Sequence, residues 1–170
     1  MGYGGVSIKT LESVTGLSSG SIYNSFGGKD AVFQRVLEHY NATVVTNRIR
    51  DHLGDAAPNT GLVSLFQSLL EEPDGAAFGC LLTNSSIEFA GRDNIASTAI
   101  QQGFEQFLTA FKTILLRDPK VNANEAERMS LRLLIFYQGL LVLIRHGYDK
   151  PALRSTIKTE INAITGNQNA

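Results

Sequence analysis

The chain has no tryptophan, two methionines, four prolines and a single cysteine, Cys80. One thiol excludes a disulfide scaffold and any zinc cluster built on cysteines. No apolar run approaches the roughly 20 residues that cross a bilayer. The opening Met1-Gly2-Tyr3-Gly4-Gly5 has neither the basic lead nor the apolar core of a secretory signal. An excess of one charge is missing too: 15 Lys and Arg stand against 16 Asp and Glu, so overall charge selects no partner. Charged residues are only 18% and apolar ones 43%, a packed composition and not a disordered one. A cytoplasmic, reduced, soluble protein without membrane contact is the expectation.

What is present is helical patterning. The 170 residues suffice for one generous domain, or a small module with a medium one. Phe33, Val36, Leu37, Tyr40 and Val44 recur at steps of three and four within 29–53, one stripe of a long helix. Leu62, Leu65, Phe66 and Leu69 form a second stripe. Phe104, Phe107, Leu108, Phe111, Ile114 and Leu115 form a third, and Leu153, Ile157, Ile161 and Ile164 a fourth. Residues 125–147 are apolar on nearly every side, which demands burial on more than one side, and the second side is expected to meet another subunit. Asn122 with Glu125 predicts a capping box, Gly147 a left-handed helix end and Pro151 the first turn of a following helix. Pro58-Asn59, Pro73-Asp74-Gly75 and Asp118-Pro119 read as turns. No alternating run predicts a strand. The fold class is all-α, with about eight helices.

The first 28 residues differ in character. Ser7 can cap a short helix with Ile8, Leu11 and Val14 inward. Gly16-Leu17-Ser18 then turns the chain, and Ser18 can cap a second helix, 19–26, with Ile22 and Phe26 inward. Two short helices about a glycine-containing turn match a helix-turn-helix, whose second helix enters the major groove. The outward residues would be Ser19, Gly20, Ser21, Tyr23 and Asn24. Asn24 can pair bidentately with adenine, while Tyr23 and Lys29 can hold phosphates. Spacing alone fits a capped hairpin packed on the core equally well.

The residues Gly2-Tyr3-x-x-Val6-Ser7-Ile8, then Thr15-Gly16-Leu17-Ser18-x-Gly20-Ser21-Ile22-Tyr23-x-x-Phe26-x-x-Lys29-Asp30-x-x-Phe33, closely resemble the DNA-binding signature of TetR-family transcriptional regulators. The resemblance is sharp over 2–40 and rests on helix order beyond. Gly79-Cys80-Leu81-Leu82-Thr83-Asn84 also resembles a stretch found in one branch of that family. The resemblance implies a helix-turn-helix DNA-binding domain in 1–40 and a ligand-binding and dimerisation bundle in 41–170. It implies phosphate contacts from Ser7, Tyr23 and Lys29, a recognition face over 18–24, and a dimer formed by 125–147 and 151–165. It also implies a helix ahead of Gly2-Tyr3 that this chain lacks. Residues 1–30 hold only Lys9 and Lys29 against Glu12 and Asp30, a small electrostatic footprint for DNA.

Other constellations point nowhere in particular. His39, His52 and His146 show no metal-ligand spacing, so no metal or cofactor is expected. Cys80 lacks a neighbouring histidine and reads as a core thiol. The aromatic stripe of Phe104, Phe107 and Phe111, with Phe66, Phe78 and Tyr137, is core in the first place. It is also a candidate wall for an apolar pocket in which Cys80, Thr83 and Asn84 orient a ligand. Leu134, Leu141, Ile157 and Ile161 are the expected dimer contacts.

The resulting expectation is a homodimeric repressor that binds near-palindromic double-stranded DNA and leaves it on binding a small apolar or amphipathic effector. It is not expected to be an enzyme. The alternatives are a helical protein-interaction module, or an enzyme with a hydrophobic substrate pocket.

Overall fold

A computed structural model describes residues 2–71, 79–89 and 96–166. All the regular structure among the described residues is helical, without a strand. Helix α1 (Ile8–Thr15) begins at Ser7, whose side chain accepts from the Thr10 amide, while Thr10 returns a bond to the Ser7 amide in a capping box. Its end is Gly16 at φ 73°, a left-handed position that glycine adopts without a Cβ penalty. Ser18 then caps α2 (Ser19–Phe26) through the Ser21 amide. These two starts and the turn between them lie where the sequence places them.

The next helix runs unbroken from 29 to 53 but changes gauge. It consists of α3 (Lys29–Tyr40), a π turn (Asn41–Val45) and α4 (Thr46–Leu53). Leu37, Asn41, Val45 and Leu53 are its buried residues. Steps of four drift about 40° around a straight α-helix, and the wider π turn takes that drift back. One face therefore stays inward over the whole length. The expected stripe is corrected accordingly: Val36 and Val44 are 46% and 40% exposed, and Val45 lies inside instead.

Helix α5 (Pro58–Glu71) starts on the proline read as a turn, because a first-turn residue needs no amide donor. Then follow α6 (Leu81–Glu88), α7 (Ser97–Leu115), α8 (Ala123–Arg145) and α9 (Lys150–Thr165). The capping box at Asn122 and Glu125, and Gly147 at φ 75°, are as predicted. The turn expected at Pro73-Asp74-Gly75 lies outside the described residues.

The core fills the space between α4, α5, α7, α8 and α9. Helices α5 and α9 pack together and contribute Leu62, Leu65, Leu69, Ile157 and Ile161 to one core, and Asn59 donates to Asn162 at 2.8 Å between them. Three dimer assignments change here. Ile157 and Ile161 are both 0% exposed and Leu141 is 8% exposed within a single chain. A side chain already enclosed by its own helices cannot also face a second subunit. Leu134 is half-buried against the core.

The N-terminal part is far less enclosed. Helix α1 has no buried residue, and α2 buries only Ile22. Val14 and Phe26, expected inward, are 80% and 42% exposed, because no described element packs over them.

Candidate nucleic-acid interface and regulatory core

The turn between α1 and α2 leaves one polar face open to solvent. Gly20, Ser21, Tyr23 and Asn24 are exposed along α2. The serines expected to meet DNA already serve the fold. Ser7 and Ser18 cap their helices, and Ser18 Oγ and Ser21 Oγ lie 3.0 Å apart. Ser19 donates through both its amide and its hydroxyl to Glu12 Oε1 at 2.5 Å. Those two bonds, hydroxyl first, hold the Glu12 carboxyl below its usual range. The serines thus fix the angle of α2 on α1, leaving Gly20, Tyr23 and Asn24 to reach outward. Small residues at the helix start let a backbone approach closely, and an exposed amide such as Asn24 suits an adenine edge.

Lys29 opens α3 beside this face. Its ammonium sits 3.9 Å above the ring of Tyr3, a cation–π contact. Tyr3 in turn donates its hydroxyl to Asp30. That bond, with some burial and the charges of Asp30 and Glu88, raises the Tyr3 phenol pKa. Tyr3 belongs to the N-terminal signature, but its partners lie 27 and 85 residues away, and no sequence spacing joins them.

The aromatic residues expected to wall a pocket pack on one another. Phe66, Phe107, Phe111 and Tyr137 are at most 2% exposed. Phe107 lies 4.9 Å from Tyr137 and 6.0 Å from Phe111, and Phe66 lies 5.4 Å from both Tyr137 and Phe136. They are buried core residues packed ring against ring. Phe104 is half-buried at the edge, and Phe78 lies outside the described residues.

Polar chemistry gathers at one end of that aromatic core. Tyr40 of α3 donates to Cys80 Sγ at 3.6 Å, and Arg48 of α4 donates to the Tyr137 hydroxyl at 3.1 Å. Burial pushes the Tyr137 phenol up to about 12 against a downward pull from Arg48, and burial with the nearby thiol raises Tyr40 further. Both phenols therefore stay protonated donors. Thr83 donates to Gln138 at 2.6 Å, tying α6 to α8, and Asn84 accepts from Arg145. Cys80, Thr83 and Asn84 thus each bond a different side chain, Tyr40, Gln138 and Arg145. Arg48 and Gln138 were not predicted, since a lone arginine or glutamine on a helix carries no sequence signal of what it faces.

Two surface grooves flank α4. One, of about 630 Å³, runs between Thr46, Ile49 and Arg50 and the α7 residues Gln102, Glu105, Gln106 and Thr109. The other, of about 400 Å³, lies between Arg48 and His52 on one side and Ser68 and Glu71 on the other. Among the described residues, no group of three or more metal-ligating side chains comes together, and no helix is long and apolar enough to cross a membrane.

No family model matches the chain. It is 28% identical over 117 residues to the HTH-type transcriptional repressor DhaR of Mycobacterium sp. (strain GP1), covering 68% of this chain and 58% of that protein. The chain thus aligns with less than two thirds of that relative's length. In solved structures it is similar to a TetR transcriptional regulator from Legionella pneumophila, with a TM-score of 0.79 at 15% identity over 95% of this chain and 87% of that one. Reduced E. coli NemR gives 0.81 at 16% identity, over 95% and 86%. A cysteine variant of the TetR family regulator CifR, complexed with 26-bp double-strand operator DNA, gives 0.78 at 22% identity over 95% and 88%.

Proposed function

We propose that this chain, which carries the fold of the TetR-family regulators, is a transcriptional repressor that binds DNA and is not an enzyme. The observation that carries this reading is the open polar face of α2, with Gly20, Tyr23 and Asn24 outward, held at a fixed angle on α1 by the Ser19–Glu12 bonds. Residues 1–40 are the DNA-binding part and 41–170 the regulatory part, the two sharing the continuous 29–53 helix. The similarity to a repressor and to a regulator solved on operator DNA supports the same reading.

The working form is a cytoplasmic homodimer. Its contact face is the outer side of α8, where Leu131, Ile135 and Val142 are 53%, 64% and 43% exposed with the exposed Gly139 between them. Steps of four, four and three keep these residues in one stripe. A two-fold dimer presents two copies of α2, so its operator is near-palindromic with half-sites one helical turn or more apart. The effector is a small apolar or amphipathic molecule taken at the Cys80, Tyr40, Tyr137 and Arg48 end of the core, where polar donors border the aromatic cluster.

Selection from random duplex DNA at low salt tests the reading. The expected product is a near-palindrome. Tyr23→Ala and Lys29→Ala should weaken all sequences alike, with the salt slope falling by about 0.9 for each phosphate no longer neutralised. Asn24→Ala should change which base is preferred, at about 1–3 kcal/mol of discrimination. If neither this chain nor a form extended at its N-terminus selects any palindrome, the repressor reading is wrong and a protein-interaction module takes its place.

A further inference from the structure

Helix α6 ends against the N-terminal segment in a contact that the repressor reading does not use. Glu88 is its last residue, and its two carboxylate oxygens accept from successive backbone amides: Tyr3 at 2.8 Å and Gly4 at 2.6 Å. The next residue, Phe89, places its ring 5.0 Å from Tyr3 and 5.5 Å from Phe33, and Tyr3 and Phe33 lie 5.2 Å apart. Three rings from three separate stretches of chain close into one cluster. The Tyr3 side chain also bonds Asp30 and carries the Lys29 ammonium on its face. One carboxylate and one ring therefore position the segment entering α1 and the lysine opening α3 together. Gly2 is part of the fit, since a Cβ there would run into the Glu88 carboxylate.

The opposite end of the same helix belongs to the regulatory core. Cys80 precedes α6 and accepts from Tyr40, while Thr83 on its first turn bonds Gln138. Helix α6 is eight residues long, about 12 Å, and a rigid rod of that length carries a tilt at one end to the other. We propose that the Glu88–Tyr3–Gly4 clasp is the coupling contact of this protein, through which a displacement of α6 at Cys80 and Thr83 repositions α1, α2 and Lys29. Glu88 is a positioning residue: it acts on the DNA-binding face through Tyr3 and touches no DNA itself. The inference rests on the repressor reading for what is transmitted, but the contact can be tested without DNA.

Coupling between two sites is reciprocal. Breaking the clasp must therefore be felt at Cys80 as well as at the N-terminus. The experiment compares Glu88→Ala and Gly2→Ala with wild type and with the remote surface variant Lys158→Ala. Amide hydrogen exchange is read over residues 2–30, and the alkylation rate of Cys80 is measured with N-ethylmaleimide. Both clasp variants should speed exchange at Tyr3 and Gly4 tenfold or more and change the alkylation rate at least threefold, with Lys158→Ala unchanged. Because Gly2→Ala displaces only the flexible end of Glu88, it keeps the test open should Glu88→Ala fold poorly. Exchange unaltered in both variants overturns the proposal. Faster exchange with an unchanged alkylation rate overturns it too, since the clasp is then a local tie with no reach to the core. A parallel titration on duplexes selected by wild type should show affinity lowered about tenfold in both variants. If wild type retains no DNA while exchange and alkylation still move together, the repressor reading falls and the clasp stands.

Discussion

His52 shows how much a single side chain owes to its surroundings. Its Nδ1 lies 2.8 Å from Ser64 Oγ, and partial burial together with the Arg48 charge holds its pKa below the ordinary 6.5, against a smaller upward pull from Asp51. The folded chain therefore binds fewer protons than the unfolded one at mildly acidic pH. That difference favours folding above about 6.5, and the stability is lost as pH falls through the folded pKa. Urea midpoints should fall from neutral pH toward pH ~5.5, and His52→Gln, which keeps a partner for Ser64, should flatten that fall. An unchanged slope in the variant would assign the acid sensitivity elsewhere. Glu12 and Glu71, lowered by their bonds to Ser19 and Arg154, contribute only nearer their ordinary 4.5. His52 was visible in the sequence as a residue, and Arg48 stands four residues before it on the same helix, but its lowered pKa was not legible, because the burial that chiefly causes it and the Ser64 contact arise only once α4 and α5 have packed.

At the scale of elements, the decisive crossing is that of the 29–53 helix with α7. Asn41, 4% exposed inside the π turn, donates to the Ala99 carbonyl at 2.7 Å. Gly103 lies opposite, where a Cβ would stand 2.5 Å from Leu82 Cδ1 and 2.6 Å from Asn41 Oδ1. The missing side chain lets the π turn, α6 and α7 meet at one point. Gly103→Ala should push Leu82 and Asn41 aside and lower stability by about 1–3 kcal/mol, the usual cost of overpacking. Chemical denaturation measures that loss, and a variant as stable as wild type would mean that the crossing has slack. Helix starts at Ser7, Ser18 and Asn122 were legible because a cap needs only neighbours three residues apart. The π turn was not legible. It exists to keep one face inward against α7, and that demand comes from a partner about 60 residues away.

For the molecule as a whole, the question is which apolar surface is internal and which is shared. The α8 helix is apolar on nearly every side, and the expectation of two burial environments follows from that alone. The chain's own core takes Leu133, Tyr137, Leu140, Leu141 and Ile144, leaving Leu131, Ile135 and Val142 outside. Two substitutions separate the roles. Ile161→Asp buries an unpaired charge in the monomer and should cost at least about 3 kcal/mol, seen as a large drop in thermal midpoint. Ile135→Glu should leave the fold intact and convert a dimer to a monomer in sedimentation at micromolar concentration. Monomeric wild type, or a dimer unaffected by Ile135→Glu, would remove α8's outer face from the interface.

The amino-acid sequence by itself determined the all-α class, the two short capped helices about Gly16, and the apolar stripes of α5, α7 and α9. Each depends on residues three or four apart, or on a local cap, and such interactions act before any tertiary contact forms. It also determined that α2 would carry small polar residues at its start. Only the tertiary structure decided that Phe66, Phe107, Phe111 and Tyr137 would pack ring against ring, that Ile157 and Ile161 would be internal, and that Glu88 would reach back 85 residues to the Tyr3 amide. Periodicity tells which face of a helix is apolar. It does not tell what covers that face, because the covering group arrives from a distant part of the chain and is selected by shape and charge at the point of contact.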